Sequence, residues 1–93
     1  VRAEVAGRRL RTGLESIAAS AEKQVREVRG KGLMLGMEIT SPEEARRIAG
    51  KALDLGLLIN VTGNGVLRIA PPLTVTDEEI DEGLTILKGA FRS

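Results

Sequence analysis

Residues 57–73 read LLINVTGNGVLRIAPPL, two apolar runs joined by a turn and closed by two prolines. Asn64-Gly65 suits backbone of positive φ, so residues 57–61 and 66–70 are predicted to pair as an antiparallel hairpin. Pro71 and Pro72 have no amide hydrogen to offer and stop the ladder. Side chains alternate between the two faces of a strand. Leu57, Ile59, Val61, Leu67 and Ile69 therefore point one way, and Leu58, Asn60, Val66, Arg68 and Ala70 point the other. An arginine among that second set is unfavourable unless an anion meets it. Arg68 is thus the candidate for holding a carboxylate or phosphate. A structural ion pair with Glu38, or with a carboxylate from another domain, is the competing account.

The same alternation extends upstream. Residues 33–39 place Leu33, Leu35, Met37 and Ile39 on one face, with Met34, Gly36 and Glu38 on the other. A shorter strand over 25–29 precedes them, separated by the turn Gly30-Lys31-Gly32. Ser41-Pro42-Glu43-Glu44 starts a helix: serine caps, proline takes the first helical position and Glu44 can complete a capping box. Ala45, Ile48, Ala49, Ala52 and Leu53 form its apolar stripe, and Gly56 ends it. Thr76 to Glu79 repeats the capping signal ahead of the stripe Ile80, Leu84, Leu87 and Phe91. Residues 1–21 form the opening helix, its stripe running from Ala6 through Leu10, Leu14 and Ile17 to Ala21. Gly7 and Gly13 weaken that helix intrinsically and allow close packing against a neighbour.

The predicted order is α-β-β-α-β-β-α. This is an α+β fold, a small antiparallel sheet of three to four strands packed against helices, in one domain spanning residues 1–93. The sheet face carrying Met34, Leu58 and Val66 is too apolar to be left in water, so something else is expected to cover it, with Arg68 and Asn60 inside the contact.

Composition closes off several function classes. Phe91 is the only aromatic residue, so the core is aliphatic and there is no platform for stacking bases. A net charge of +1 leaves no basic surplus for neutralising phosphates, and no nucleic-acid partner is expected. Arg2, Arg8, Arg9 and Arg11 cluster near the start, interspersed with Glu4 and Glu15, and read as a solvated or interface face. With no cysteine and no histidine, disulfides, thiol nucleophiles, the usual zinc sites and a Ser-His-Asp triad are all excluded. No apolar run approaches the roughly 20 residues needed to span a bilayer. No membrane partner is expected, and the expected location is cytoplasmic. The chain opens at Val1 inside a helical pattern and without methionine, which reads as a piece of something longer.

Three further patterns carry weaker signals. The glycines of residues 30–36 fall as G-x-G-x-x-x-G, but a dinucleotide loop needs a helix N-terminus after it and here a strand follows. A tight hairpin is the better reading, with Gly36 permitting close approach of a backbone or ligand. Lys23, Lys31, Lys51 and Lys88 lie outside any apolar pattern that would desolvate an amine, so all four are expected to face solvent. Glu38 is a single carboxylate without a second to share acid–base work, and is placed at a rim or edge.

Taken together, VREVRGKGLMLGMEI, GLLIN and GNGVLRIAPPLTVTDEEID resemble the C-terminal small domain of the class III pyridoxal-phosphate aminotransferases across nearly the whole chain. Within that class the likeness is greatest to members that move an amino group between N-acetylornithine and 2-oxoglutarate in arginine biosynthesis. The resemblance implies a fold type I enzyme acting as a homodimer, with the chain docked on its own large domain and on the dimer partner. It implies that Arg68, the arginine of the VLRxxPPL pattern, grips the α-carboxylate of the amino-acid and 2-oxo-acid substrates. It also implies that the Schiff-base lysine and the residues binding pyridoxal phosphate belong to the large domain. This chain alone is then expected neither to bind that cofactor well nor to catalyse. Other class III members, using ornithine, succinylornithine or 4-aminobutyrate, fit the same residues. From a different class, a free-standing ACT or ferredoxin-like regulatory module would run β-α-β-β-α-β, without the opening helix seen here.

Overall fold

The computed structural model describes residues 2–72 and 74–92, with the side chains of Arg2 and Ala3 outside the description; Val1 and Leu73, which the sequence reading included in a helix and the VLRIAPPL stretch, fall outside it. The elements follow the predicted order: α1 (Arg2–Ser20), β1 (Val25–Lys31), β2 (Met34–Ile39), α2 (Pro42–Asp54), β3 (Asn60–Val61), β4 (Val66–Ile69) and α3 (Asp77–Arg92). The four strands make one sheet in the order β1-β2-β4-β3, with every neighbouring pair antiparallel.

The predicted inner face is the buried one. Leu33, Leu35, Met37, Ile39, Ile59 and Leu67 are buried with Leu10, Leu14 and Ile17 of α1, Ile48 of α2, and Ile80, Leu87 and Phe91 of α3. Helix α3 packs against both α1 and α2 and completes the helical layer. No charged or polar side chain is buried among the described residues.

Local chemistry sets the element ends. The Ser41 hydroxyl accepts from the Glu44 amide at 3.1 Å, as its capping role requires. Only half of the expected capping box forms there. The Glu44 carboxylate instead takes hydrogen bonds from Gln24 and Arg47, drawn away by partners with more charge and donors than a single amide. At α3 the box is complete: Thr76 accepts from the Glu79 amide at 3.1 Å, and Glu79 accepts from the Thr76 amide at 2.9 Å. Helix α2 ends where Gly56, at φ +100°, lets its own amide reach Leu53 and the Leu57 amide reach Ala52.

Several boundaries differ from the sequence reading. Strand β1 runs on to Lys31, and the hairpin to β2 turns on Gly32 and Leu33 alone, with positive φ at Gly32. Strand β3 is two residues long rather than five, because its pairing with β4 stops at Asn60 opposite Arg68. In the β3–β4 loop Gly65, not Asn64, takes the positive φ. Its missing β-carbon also makes room for Pro42, whose Cα and N would stand 3.2 Å from one.

The arginine cluster of α1 is only partly solvated. Arg9 grips Asp81 of α3 with two hydrogen bonds, at 2.9 and 2.7 Å. Arg11 donates to the carbonyls of Gly30 and Val28 on the free edge of β1, at 2.8 and 3.3 Å, satisfying edge groups that no strand covers.

Candidate functional site

The outer face of the sheet carries a row of four residues running straight across the strands. Arg29 on β1 is opposite Gly36 on β2, Gly36 is opposite Arg68 on β4, and Arg68 is opposite Asn60 on β3. Directly opposed residues share a face, so the two arginines flank a position that has no side chain. An open depression of about 560 Å³ lies there, bordered by Arg29, Met34, Gly36, Asn64, Val66 and Arg68. A β-carbon on Gly36 would meet Val66 Cγ1 at 3.1 Å, so glycine keeps this part of the depression open.

Arg68 is exposed and makes no hydrogen bond or ion pair among the described residues. The ion pair with Glu38 that the sequence left open is not formed. Glu38 belongs instead to β1's arginines: Arg29 Nη1 lies 3.2 Å from its Oε1 and Arg26 Nη1 lies 4.0 Å from its Oε2. Arg29 also reaches Glu27 at 3.4 Å. Arg68 thus carries an unpaired guanidinium on a face that β1 makes more charged than the alternation of β2 to β4 alone implied: Glu27, Arg29 and Lys31 stand opposite Glu38, Gly36 and Met34. Met34 on this face is 65% exposed and Val66 is half-buried, whereas Leu58, 77% exposed, lies before β3 begins at Asn60 and is not part of the paired face.

Sequence reasoning missed Arg26 and Arg29. The signal was available in the Gly-containing β1–β2 turn, which places Arg29 level with Gly36 once the two-residue loop is recognised. It also missed a second, apolar cleft of about 360 Å³ between α1, α3 and the end of β4, lined by Leu10, Leu14, Ile69, Pro71 and Leu84 among others. The stripes of both helices contain these residues, but their separation is a matter of packing.

The perturbed titrations sit on the helical side, away from this face. A hydrogen bond from Arg9 holds the Asp81 carboxyl below its ordinary value, and Asp81 raises Arg9 in turn. The bond from Arg47 likewise lowers Glu44. No cluster of three acidic, histidine or cysteine side chains able to hold a metal occurs among the described residues. Lys23, Lys31, Lys51 and Lys88 are all exposed, as expected. What the outer face offers chemically is therefore charge recognition: one unpaired guanidinium, beside an open depression, able to take a carboxylate through two parallel hydrogen bonds.

Comparison with known proteins gives this face a context. The model of the family described as aminotransferase class-III matches residues 1–91. An acetylornithine aminotransferase from Caldanaerobacter subterraneus subsp. tengcongensis is 53% identical over 81 residues, covering 87% of this chain and 20% of that protein. A diaminobutyrate–2-oxoglutarate transaminase from Streptomyces avermitilis is 42% identical over 88 residues, covering 92% of this chain and 21% of that protein. The crystal structure of acetylornithine aminotransferase from Elizabethkingia anophelis superposes with a TM-score of 0.91 at 29% identity, covering 98% of this chain and 23% of that one. The chain spans about a fifth of the length of these curated relatives.

Proposed function

Because the chain belongs to the class-III aminotransferases, we propose that residues 1–93 are the C-terminal small domain of a longer pyridoxal-phosphate-dependent aminotransferase, in which Arg68 holds the substrate carboxylate. The observation that supports this reading is an exposed Arg68 without a hydrogen bond or ion pair among the described residues, level with Gly36 across the outer face of the sheet. An aminotransferase must anchor the carboxylate common to its amino-acid and 2-oxo-acid substrates, and a guanidinium does so with a planar fork that also orients the ligand. The amino donor favoured is N-acetylornithine, with 2-oxoglutarate as acceptor, in arginine biosynthesis; the 53% identical relative supports it. The diaminobutyrate transaminase supports a second donor, 2,4-diaminobutyrate, at lower identity.

The large domain and the partner subunit of a homodimer are the surfaces proposed to cover Met34 and Leu58. No helix among the described residues is long and apolar enough to cross a membrane, and a cytoplasmic location is proposed. The residues of this chain do not by themselves fit pyridoxal phosphate. Its four lysines are all exposed, and none stands in an enclosed apolar pocket that would hold a Schiff-base amine. The isolated chain is accordingly proposed to be inactive, with the cofactor held elsewhere in the complete enzyme.

Steady-state kinetics and melting temperature, measured together on the complete enzyme, test the role of Arg68. Arg68→Ala should lower kcat/KM for both amino donor and 2-oxo acid by roughly 10² to 10⁴, with folding unchanged. Arg68→Lys should recover only part, since a point charge cannot reproduce the fork. A lowered melting temperature with near-normal kinetics would overturn the carboxylate-binding role. Comparing kcat/KM for N-acetylornithine and 2,4-diaminobutyrate decides the donor.

A further inference from the structure

Glu38 stands in the same relation to two arginines. On one side it is opposite Glu27, two residues from Arg29; on the other it is opposite Val66, two residues from Arg68. Diagonal neighbours of this kind lie roughly 7–8 Å apart, within reach of long side chains. Register alone would therefore let Glu38 pair with either. It pairs with Arg29, supported by Arg26.

The choice matters because Glu38 is a carboxylate tethered beside the guanidinium that is to receive a carboxylate. Tethering gives such a group a high effective concentration, so a Glu38 that turned towards Arg68 would compete with every substrate. Glu27 adds a push in that direction. It faces Glu38 directly across β1 and β2, and like charges in that position repel. Arg29 offsets the repulsion by reaching both acids, Glu38 at 3.2 Å and Glu27 at 3.4 Å. Without it, Glu38 would keep only Arg26, at 4.0 Å, while the Glu27 charge drove it towards β4.

We propose that Arg29 is a positioning residue for carboxylate binding: by holding Glu38 on the β1 side of the sheet it leaves Arg68 free for substrate. This rests on the carboxylate-binding role of Arg68 given above. In this role Arg29 acts through Glu38, which it holds at 3.2 Å.

The test is a set of variants in the complete aminotransferase. Arg29→Met should raise KM for the amino donor and the 2-oxo acid by about two- to fivefold at nearly constant kcat, the range that one partly exposed ion pair can shift. Adding Glu38→Gln to Arg29→Met should return KM to the native value, because the competing charge is gone. Arg29→Lys, which keeps the charge, should stay near native. Arg29 is 53% exposed, so all three should melt close to the native protein. A crystal structure of Arg29→Met should place the Glu38 carboxylate against the Arg68 guanidinium. An unchanged KM in Arg29→Met overturns the proposal, as does a raised KM that persists in the double variant. Arg68→Ala in the same series separates the two ideas. If it leaves kinetics intact, the role of Arg68 fails and this inference with it; if it is damaging while Arg29→Met is silent, only the role of Arg29 fails.

Discussion

Gly7 of α1 and Gly32 of the β1–β2 turn meet backbone to backbone: a β-carbon on Gly7 would stand 2.6 Å from the Gly32 carbonyl oxygen. Gly13, farther along the same helix, is different in kind. A β-carbon there would meet Leu84 Cδ1 at 2.2 Å, a closer approach but to the end of a side chain. Leu84 borders the apolar cleft between α1 and α3 and has room to swing.

The two glycines should therefore respond oppositely to alanine. Gly7→Ala forces α1 off the turn and should destabilise by about 1–3 kcal/mol, more than the roughly 1 kcal/mol that alanine contributes to helix propensity. Gly13→Ala should be near neutral or mildly stabilising. Denaturant midpoints for the two variants check this, and equal losses would show that Leu84 cannot yield.

Leu67 and Arg68 are chain neighbours on opposite faces of β4, one fully buried and one exposed. Leu67→Ala should cost about 2–5 kcal/mol through the cavity it opens. Arg68→Ala should change stability by less than about 0.5 kcal/mol. A comparable loss in both, measured by urea unfolding, would mean that Arg68 supports the fold after all.

Acid should loosen the contact between α1 and α3. The hydrogen bond from Arg9 depresses Asp81 in the folded state, so the unfolded chain binds a proton first as pH falls. The stabilisation is complete above the unfolded aspartate value, about 3.9, and is lost as pH drops from there through the lower folded value. Glu44, lowered by Arg47, loses its contribution in the same direction below its own unfolded value. Melting temperature against pH should fall more steeply for the native chain than for Asp81→Asn, and salt should reduce the difference. Parallel curves for the two proteins would sink this account.

Pyridoxal phosphate followed by borohydride should label Lys23, Lys31, Lys51 and Lys88 of this chain weakly and without preference, since all are exposed. Mass spectrometry of the labelled peptides reads the distribution. Stoichiometric labelling of one lysine would place a cofactor amine in this chain and contradict the proposed division of labour.

The element order and the two faces of the sheet were legible in the residues because both are local. Alternation at period two assigns Leu35, Met37 and Leu67 to one side and Met34, Gly36 and Arg68 to the other whatever the strands pair with. The caps at Ser41 and Thr76 were legible for the same reason, each depending on residues within one turn. Arg68 stood out because its side was decided by this pattern alone.

The partners of those residues were not legible. Whether Glu38 meets Arg29 or Arg68 depends on three strands lying in register, with a register shift between Val25 and Glu27 placing Arg26 beside it as well. Glu44 abandons the expected capping box for two partners, Arg47 one turn on in its own helix and Gln24, which the fold brings to it across 20 residues. Arg9 and Arg11, neighbours on one helix, part to Asp81 and to the edge of β1. The residues of this chain determined which way each side chain points. Only the packed sheet decided what each one touches, because a charged group finds its partner through contacts between segments far apart in the chain, and no local pattern encodes their register.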